Sequence, residues 1–155
     1  MIGEPSPTNN YHAWHVKRLL ESLAHLTGRK PFPELGEVAQ AKAAWEAPFA
    51  LVSHGTEIDP IFNYGNRKAL ELFEMDWKSF TKLPSRLSAE AVNRTEREAL
   101  LAKVNRDGFI DDYSGIRISA TGKRFRIENA VVWNVFDEQG RPYGQAALFY
   151  GWKVL

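Results

Sequence analysis

The sequence predicts an α+β fold: a mainly antiparallel β-sheet flanked by short helices, with an N-terminal helical extension. Three observations carry that prediction. The stretch Ile61-Phe62-Asn63-Tyr64-Gly65-Asn66-Arg67-Lys68-Ala69-Leu70-Glu71-Leu72-Phe73-Glu74 reads as a short apolar strand, a turn, and a helix with Ala69, Leu70, Leu72 and Phe73 on one side. Residues 109–154 hold three strand-like runs separated by two reversals that contain Gly122 and Gly140. Glycine there supplies the positive φ that hairpin loops often need. Upstream, two segments carry apolar residues at helical spacing. A chain of 155 residues has a one-domain length and can bury a core. Residues 1–47 are expected to form the helical extension and residues 48–155 the sheet-containing core, in one structural domain.

Met1 to Pro7 is polar with two prolines and is expected to fray. Thr8 or Asn9 is placed to cap a helix running to about Leu26. Its stripe is Tyr11, Trp14, Leu19, Leu23 and Leu26, with Val16 and Leu20 alongside and Gly28 as a stop. Pro31 and Pro33 make an extended connector. A second helix, about Leu35 to Glu46, carries Val38, Ala41, Ala44 and Trp45 before Pro48.

The core opens with a strand, Phe49 to Ser53. A loop with His54, Gly55, Glu57 and Asp59-Pro60 leads to the strand Ile61 to Tyr64. The side-chain oxygen of Asn66 is placed to cap the next helix. Asn66→Ala is then expected to cost about 1 kcal/mol, and Asn66→Asp less, since a carboxylate also accepts there and suits the helix dipole. Asp76-Trp77-Lys78-Ser79-Phe80 is a second cap and helical turn, and Pro84-Ser85-Arg86 breaks the chain. Asn93-Arg94-Thr95-Glu96 resembles a capping box. It opens a helix with Ala99, Leu100, Leu101 and Val104 inward, ended by Asp107-Gly108.

The closing runs are Phe109 to Ser119, Arg124 to Phe136 and Tyr143 to Val154. On the long middle run the odd positions Phe125, Ile127, Asn129, Val131, Trp133 and Val135 are apolar except Asn129. They are expected to face the core, unless a bulge flips the alternation midway. The even positions turn apolar toward the end, at Ala130, Val132 and Phe136. That end needs a cover, either the upstream helices or a second copy of the chain.

Lys plus Arg is 20 and Asp plus Glu is 19, a net charge of +1. This gives no bulk electrostatic reason for nucleic-acid binding, and Lys123-Arg124 with Arg126 is the only basic cluster. Zero cysteines remove disulfides, Cys–zinc sites and thiol catalysis, and fit a reducing compartment. No apolar run approaches the ~20 residues of a membrane span, and the N-terminus lacks the order of a signal peptide. A cytoplasmic protein without nucleic-acid or membrane partners is expected.

Ser53-His54-Gly55, Asp59-Pro60-Ile61-Phe62-Asn63-Tyr64-Gly65-Asn66, Leu83-Pro84-Ser85-Arg86 and Asp112-Tyr113-Ser114-Gly115-Ile116-Arg117-Ile118-Ser119 resemble the MEKHLA domain family over roughly residues 10–153. This PAS-like sensor module occurs as free-standing bacterial proteins, the type implied here, and at the C-terminus of plant class III homeodomain-leucine-zipper regulators. The resemblance implies a sensory or regulatory module without catalysis, binding a small ligand or a signalling protein partner. It also implies a homodimer, because PAS-like modules commonly pair through a sheet face and their N-terminal helices. In such domains the ligand lies between the sheet's inner face and the short helices. A cysteinyl-flavin needs a cysteine, and the oxygen-sensing type of haem site needs a histidine on the long core helix; the sequence has neither. No cysteinyl-flavin and no His-ligated haem is therefore expected. A noncovalent flavin or a small organic ligand remains open.

Six residues are candidates for ligand binding: Ser85, Arg86, Tyr113, Arg117, Asn129 and Trp133. An Arg with a hydroxyl partner can hold a carboxylate or phosphate. Four of them also have a purely structural role to weigh. Asn129 can satisfy a backbone group, Arg117 can pair with Asp111 or Asp112, Arg86 can cap a helix, and Trp133 can pack the core. A ligand-free interaction or dimerisation module with a filled core is the alternative. A third reading is a small enzyme using His54 with Glu57 or Asp59. Adjacent Ser53 and His54 on a strand end point to opposite sides, so a loop His bonded to a neighbouring carboxylate is expected instead. His12 and His15 are spaced i, i+3, but with no third ligand nearby no metal site is expected.

Overall fold

A computed structural model of the protein describes residues 3–90 and 93–155. The elements are α1 (Ala13–Thr27), α2 (Glu37–Glu46), β1 (Ala50–His54), β2 (Phe62–Gly65), α3 (Arg67–Phe73), α4 (Trp77–Phe80), α5 (Arg94–Asp107), β3 (Phe109–Ile118), β4 (Arg124–Phe136), β5 (Pro142–Phe149) and β6 (Gly151–Val154). A kinked helical stretch covers Pro7–His12 and a single 3₁₀ turn covers Ser85–Ser88. The strands form one antiparallel sheet in the order β2-β1-β5-β4-β3, with β6 also pairing β4. This is the expected α+β, PAS-like fold.

The N-terminal helix begins later than its stripe suggests. Asn10, Tyr11 and His12 take left-handed conformations, at φ 55°, 54° and 57°. L-residues adopt these only when their surroundings hold them there. Tyr11 N donates to Ser6 O (2.9 Å), and Ser6 N donates to Asn9 Oδ1 (2.9 Å). His12 Nε2 bonds Gly3 O at 2.7 Å, so Gly3 to Pro7 folds back onto the chain rather than fraying. Met1 and Ile2 of that segment lie outside the described residues. The buried face of α1 is Val16, Leu19, Leu20 and Leu23, whereas Trp14 is 49% exposed.

That buried face covers the outer side of the sheet. Trp133 Nε1 donates to Leu19 O (3.0 Å) and Phe136 N to Ser22 Oγ (3.0 Å). The cover expected from upstream helices or a second copy is therefore supplied by α1 of the same chain. The residues it covers are not the expected ones. β6 pairs with Phe125 to Glu128 and β5 with Val131 to Phe136, and Asn129 between them sits at φ 51°. This bulge flips the alternation. Phe125 and Ile127 face inward, as do Ala130 and Val132 beyond the bulge, while Val131, Trp133 and Val135 turn outward. The last expected run is likewise split into β5 and β6 at Tyr150.

The inner side is covered by α5, α3, α4 and the Ser85–Ser88 turn. Asn93 forms no side-chain cap on α5, contrary to the capping-box expectation. Asn134 Nδ2 donates to Val104 O (3.0 Å), tying α5 to β4. Asn66 has a wider role than a cap. Its Oδ1 accepts from Ala69 N and Leu51 N (both 3.0 Å). Its Nδ2 donates to Ala44 O (3.0 Å) and Phe49 O (2.8 Å). One buried amide thus joins the end of α2, the start of β1 and the first turn of α3.

Candidate functional site

Between the inner face of the sheet, α5 and the Ser85–Ser88 turn lies a cavity of about 70 Å³. Val52, Phe73, Leu100, Ile127 and Val132 give it apolar walls. Its polar lining comes from Ser85, Ser88, Arg97, Tyr113, Arg117 and His54. Tyr113, Gly115 and Arg117 alternate inward on β3, all three buried. A Cβ at Gly115 would overlap the Tyr113 hydroxyl, so the glycine sets where that ring lies.

Arg97 is 6% exposed and donates from Nη2 to Ser85 Oγ. Arg117 is 9% exposed, donates from Nη1 to Ile116 O (2.9 Å) and lies 5.6 Å from the Tyr113 ring centroid. Among the described residues neither guanidinium forms an ion pair with a carboxylate. Burial, and then the neighbouring Arg117 charge, lower the Arg97 pKa to about 10, which leaves it cationic at neutral pH. The Tyr113 hydroxyl is buried with no hydrogen-bond partner among the described residues, and His54 lies beside the Gln145 side chain. The Gln145 amide, opposite His54 on β5, is committed to Asn134 Oδ1 (3.0 Å).

Of the six candidate residues, the structure brings Ser85, Tyr113 and Arg117 together around this cavity. Arg86 points outward to Asp59 (3.0 Å). Asn129 is exposed at the bulge, and Trp133 lies on the opposite face under α1. Arg97 was not among the candidates. Its signal is its position three residues before Leu100 and seven before Val104, on the stripe that α5 turns inward.

The residues of the enzyme alternative do not converge. His54 Nδ1–H donates to Gly55 O (2.9 Å) rather than to a carboxylate. Glu57 Oε1 accepts from Ile61 N (3.1 Å) and Asp59 pairs with Arg86. Ser53 faces the other side of the sheet, where its hydroxyl donates to Asn63 Oδ1 (2.5 Å). His15 Nε2–H then donates to Ser53 Oγ (2.9 Å), and His15 Nδ1 accepts from the Tyr143 hydroxyl (2.7 Å). Burial, then the nearby His12 and Arg18 charges, lower the His15 pKa to about 3, so the ring is neutral at physiological pH. His12 and His15 thus serve separate hydrogen bonds. Among the described residues there is no cluster of three His, Cys, Asp or Glu side chains that could hold a metal. Nor is any described helix long and apolar enough to cross a membrane.

The cavity is smaller than those that hold drug-sized ligands. Drug-sized ligand sites run to ~300–1,000 Å³, against about 70 Å³ here. Phe62 and Phe80 stack with ring centroids 4.3 Å apart, and Phe73 meets Phe125 edge-on at 5.2 Å. These rings fill the space beside the cavity.

The family model described as the MEKHLA domain matches residues 13–154. The homeobox-leucine zipper protein HOX32 of Oryza sativa subsp. indica is 22% identical over 114 residues, 74% of this chain and 13% of that protein. The homeobox-leucine zipper protein ATHB-9 of Arabidopsis thaliana is 24% identical over 119 residues, 74% of this chain and 14% of that protein. The chain thus spans about one-seventh of the length of these curated relatives. Among solved structures, the PAS domain of a protein from Colwellia psychrerythraea superposes with a TM-score of 0.60 at 16% identity, covering 71% of this chain and 91% of that one. An RNA-binding light-oxygen-voltage receptor gives a TM-score of 0.62 at 17% identity, covering 71% and 31%. These likenesses establish the fold, and with a family match running from residue 13 to residue 154, the chain belongs to the MEKHLA domain family.

Proposed function

We propose that this chain is a sensory or regulatory module, without catalysis, that takes a small ligand into the cavity between its sheet and α5. The observation that carries this reading is the buried Tyr113 hydroxyl, which borders this cavity and has no hydrogen-bond partner among the described residues. Such a group costs about 1–3 kcal/mol to leave unsatisfied, and native structures seldom tolerate one without a purpose. A ligand contacting Arg97 acts on α5, which is bonded to β4 through Asn134, and β4 carries α1 on its far side. Output is proposed to pass through the α1–α2 surface, where Trp14 and Val38 are exposed, to a second copy of the chain or to a signalling protein partner. A solved neighbour described as the light-state dimer of the fungal photoreceptor Vivid is compatible with pairing. A cytoplasmic location belongs to the same proposal and rests on the absence of cysteine. Catalysis is not part of it, because His54, Glu57 and Asp59 are committed to separate partners.

The ligand-free interaction module is favoured by one observation, the stacked Phe62 and Phe80 rings beside a cavity of only about 70 Å³. A thermal-shift screen of small organic molecules separates the two, run on the parent chain and on Ala130→Ile, which fills the cavity. Molecules that raise the melting temperature of the parent but not of Ala130→Ile support ligand binding. A parent that no molecule stabilises, alongside an Ala130→Ile variant more stable than the parent, would sink it in favour of the filled-core module.

A further inference from the structure

We infer that the cavity is a site for a short-chain aliphatic monocarboxylate, held by Arg97 and Arg117 with the Tyr113 hydroxyl. This deepens the ligand-binding reading above and rests on it. Two arginines line one small space, the residues 6% and 9% exposed, and neither is in an ion pair among the described residues. Removing an ion from water costs several kcal/mol even after the protein relaxes, and two like charges add their own repulsion. A folded domain has a total stability of only about 5–15 kcal/mol. An anion between the two cations relieves both costs together.

The donors suit a carboxylate. A guanidinium carries five N–H groups in a planar fork. Arg97 makes one hydrogen bond to Ser85 Oγ, and Arg117 one to Ile116 O. The fork therefore keeps donors for a second partner. The Tyr113 hydroxyl has none and is free to donate. The Glu98 and Asp59 charges reach Arg97 only from a distance: Glu98 forms no ion pair with it, and Asp59 is already paired with Arg86.

The size and walls select within that class. A cavity of about 150 Å³ admits benzene and a single water needs ~10–15 Å³ of such space. About 70 Å³ therefore limits a carboxylate to two or three carbons. Phe73, Leu100, Ile127 and Val132 offer hydrocarbon contact to the tail and no donors. An inorganic oxyanion would leave its remaining oxygens against those walls. His54, Leu101 and Gln145 line both the cavity and a surface groove between α5 and the ends of β1 and β5.

The test is calorimetric titration of the full chain with sodium propionate, its neutral analogue propionamide and inorganic phosphate, at matched ionic strength. Propionate should bind at least about 10-fold more tightly than propionamide, and phosphate should not compete. Arg117→Met and Tyr113→Phe should each weaken propionate by roughly 10- to 100-fold, the loss expected for a charge-assisted hydrogen bond, without changing the propionamide signal. Arg97→Met should act likewise; if it fails to fold, the other two variants decide. Propionamide binding as tightly as propionate would overturn the carboxylate assignment and leave the cavity as a ligand site. Phosphate binding in preference would also overturn it. Equal propionate affinity in parent and variants would place the anion elsewhere. If none of the three probes binds and Ala130→Ile is stabilising, both the carboxylate site and the ligand-binding reading fall.

Discussion

Asn66 offers the sharpest test of how this fold is held together. The residue is fully buried and its amide makes four hydrogen bonds to main chain. In Asn66→Ala, Leu51 N and Ala69 N lose their shared acceptor, Phe49 O loses the Nδ2 donor, and Ala44 O keeps only the long bond from Ala47 N (3.5 Å). A buried orphaned N–H costs about 1–3 kcal/mol, and a carbonyl rather less because it is more easily satisfied. The sum is about 3–5 kcal/mol, well above the ~1 kcal/mol of an ordinary helix cap. Asn66→Asp does not rescue it. The aspartate keeps the oxygen toward Ala69 N and Leu51 N but puts a second oxygen where Nδ2 now stands, 3.0 Å from Ala44 O and 2.8 Å from Phe49 O. The helix-dipole gain of ~0.3–1 kcal/mol cannot offset that buried repulsion. The milder effect expected of Asp from sequence is therefore reversed, and Asp should be at least as destabilising as Ala. Urea unfolding of both variants, with unchanged m-values, measures this directly. A loss of about 1 kcal/mol in Asn66→Ala, or an Asp variant more stable than the Ala variant, would refute the four-bond account.

Other outcomes follow from the same structure. His15 binds its proton at about pH 3 in the folded chain against an ordinary value of 6.5, so between those values the unfolded chain holds more protons. Its contribution to stability is complete above about pH 6.5 and falls as pH drops, by about 2–3 kcal/mol at two units lower. The Arg18 cation and His12, whose own pKa is lowered by burial, face it, with the Tyr64 and Tyr143 rings alongside. His15→Phe should flatten the stability–pH curve relative to the parent, and parallel curves would contradict this. Deleting residues 1–30 uncovers Val131, Trp133 and Val135. It also removes the burial of Val16, Leu19, Leu20 and Leu23, worth about 1.5–3 kcal/mol each. The truncated chain should unfold or aggregate; unchanged melting and an unchanged light-scattering mass would show that α1 covers nothing of consequence. Gly115→Ala should shift the Tyr113 ring and lower propionate affinity, which the titration above reads.

Much of this architecture was legible because local chemistry and global packing agree. Apolar spacing marked α1, α2 and α5, and Gly122 and Gly140 marked the two reversals at φ 89° and 76°. The family signature lay in the segments around Asn66 and Ser114. What the sequence hid depends on backbone geometry that residue spacing does not encode. The bulge at Asn129 leaves the alternation intact to the eye, yet it moves Trp133 from the cavity to the α1 interface. The left-handed turn at Asn10, Tyr11 and His12 interrupts a stripe that otherwise looks continuous. Arg97 hid for another reason: an arginine on a charged helix is ordinarily solvated, and its burial shows only when Leu100 and Val104 are taken to define the inward side.

The central claim is that Arg97, Tyr113 and Arg117 form a site that takes a small carboxylate into the inner-face cavity. Two-dimensional NMR of the arginine Nε–Hε groups during a sodium propionate titration tests it most directly. The predicted result is that the Arg97 and Arg117 resonances shift saturably along one binding curve, while those of the surface-paired Arg86 and Arg124 stay in place. Shifts confined to the surface arginines, or growing linearly with propionate at every arginine, would contradict it.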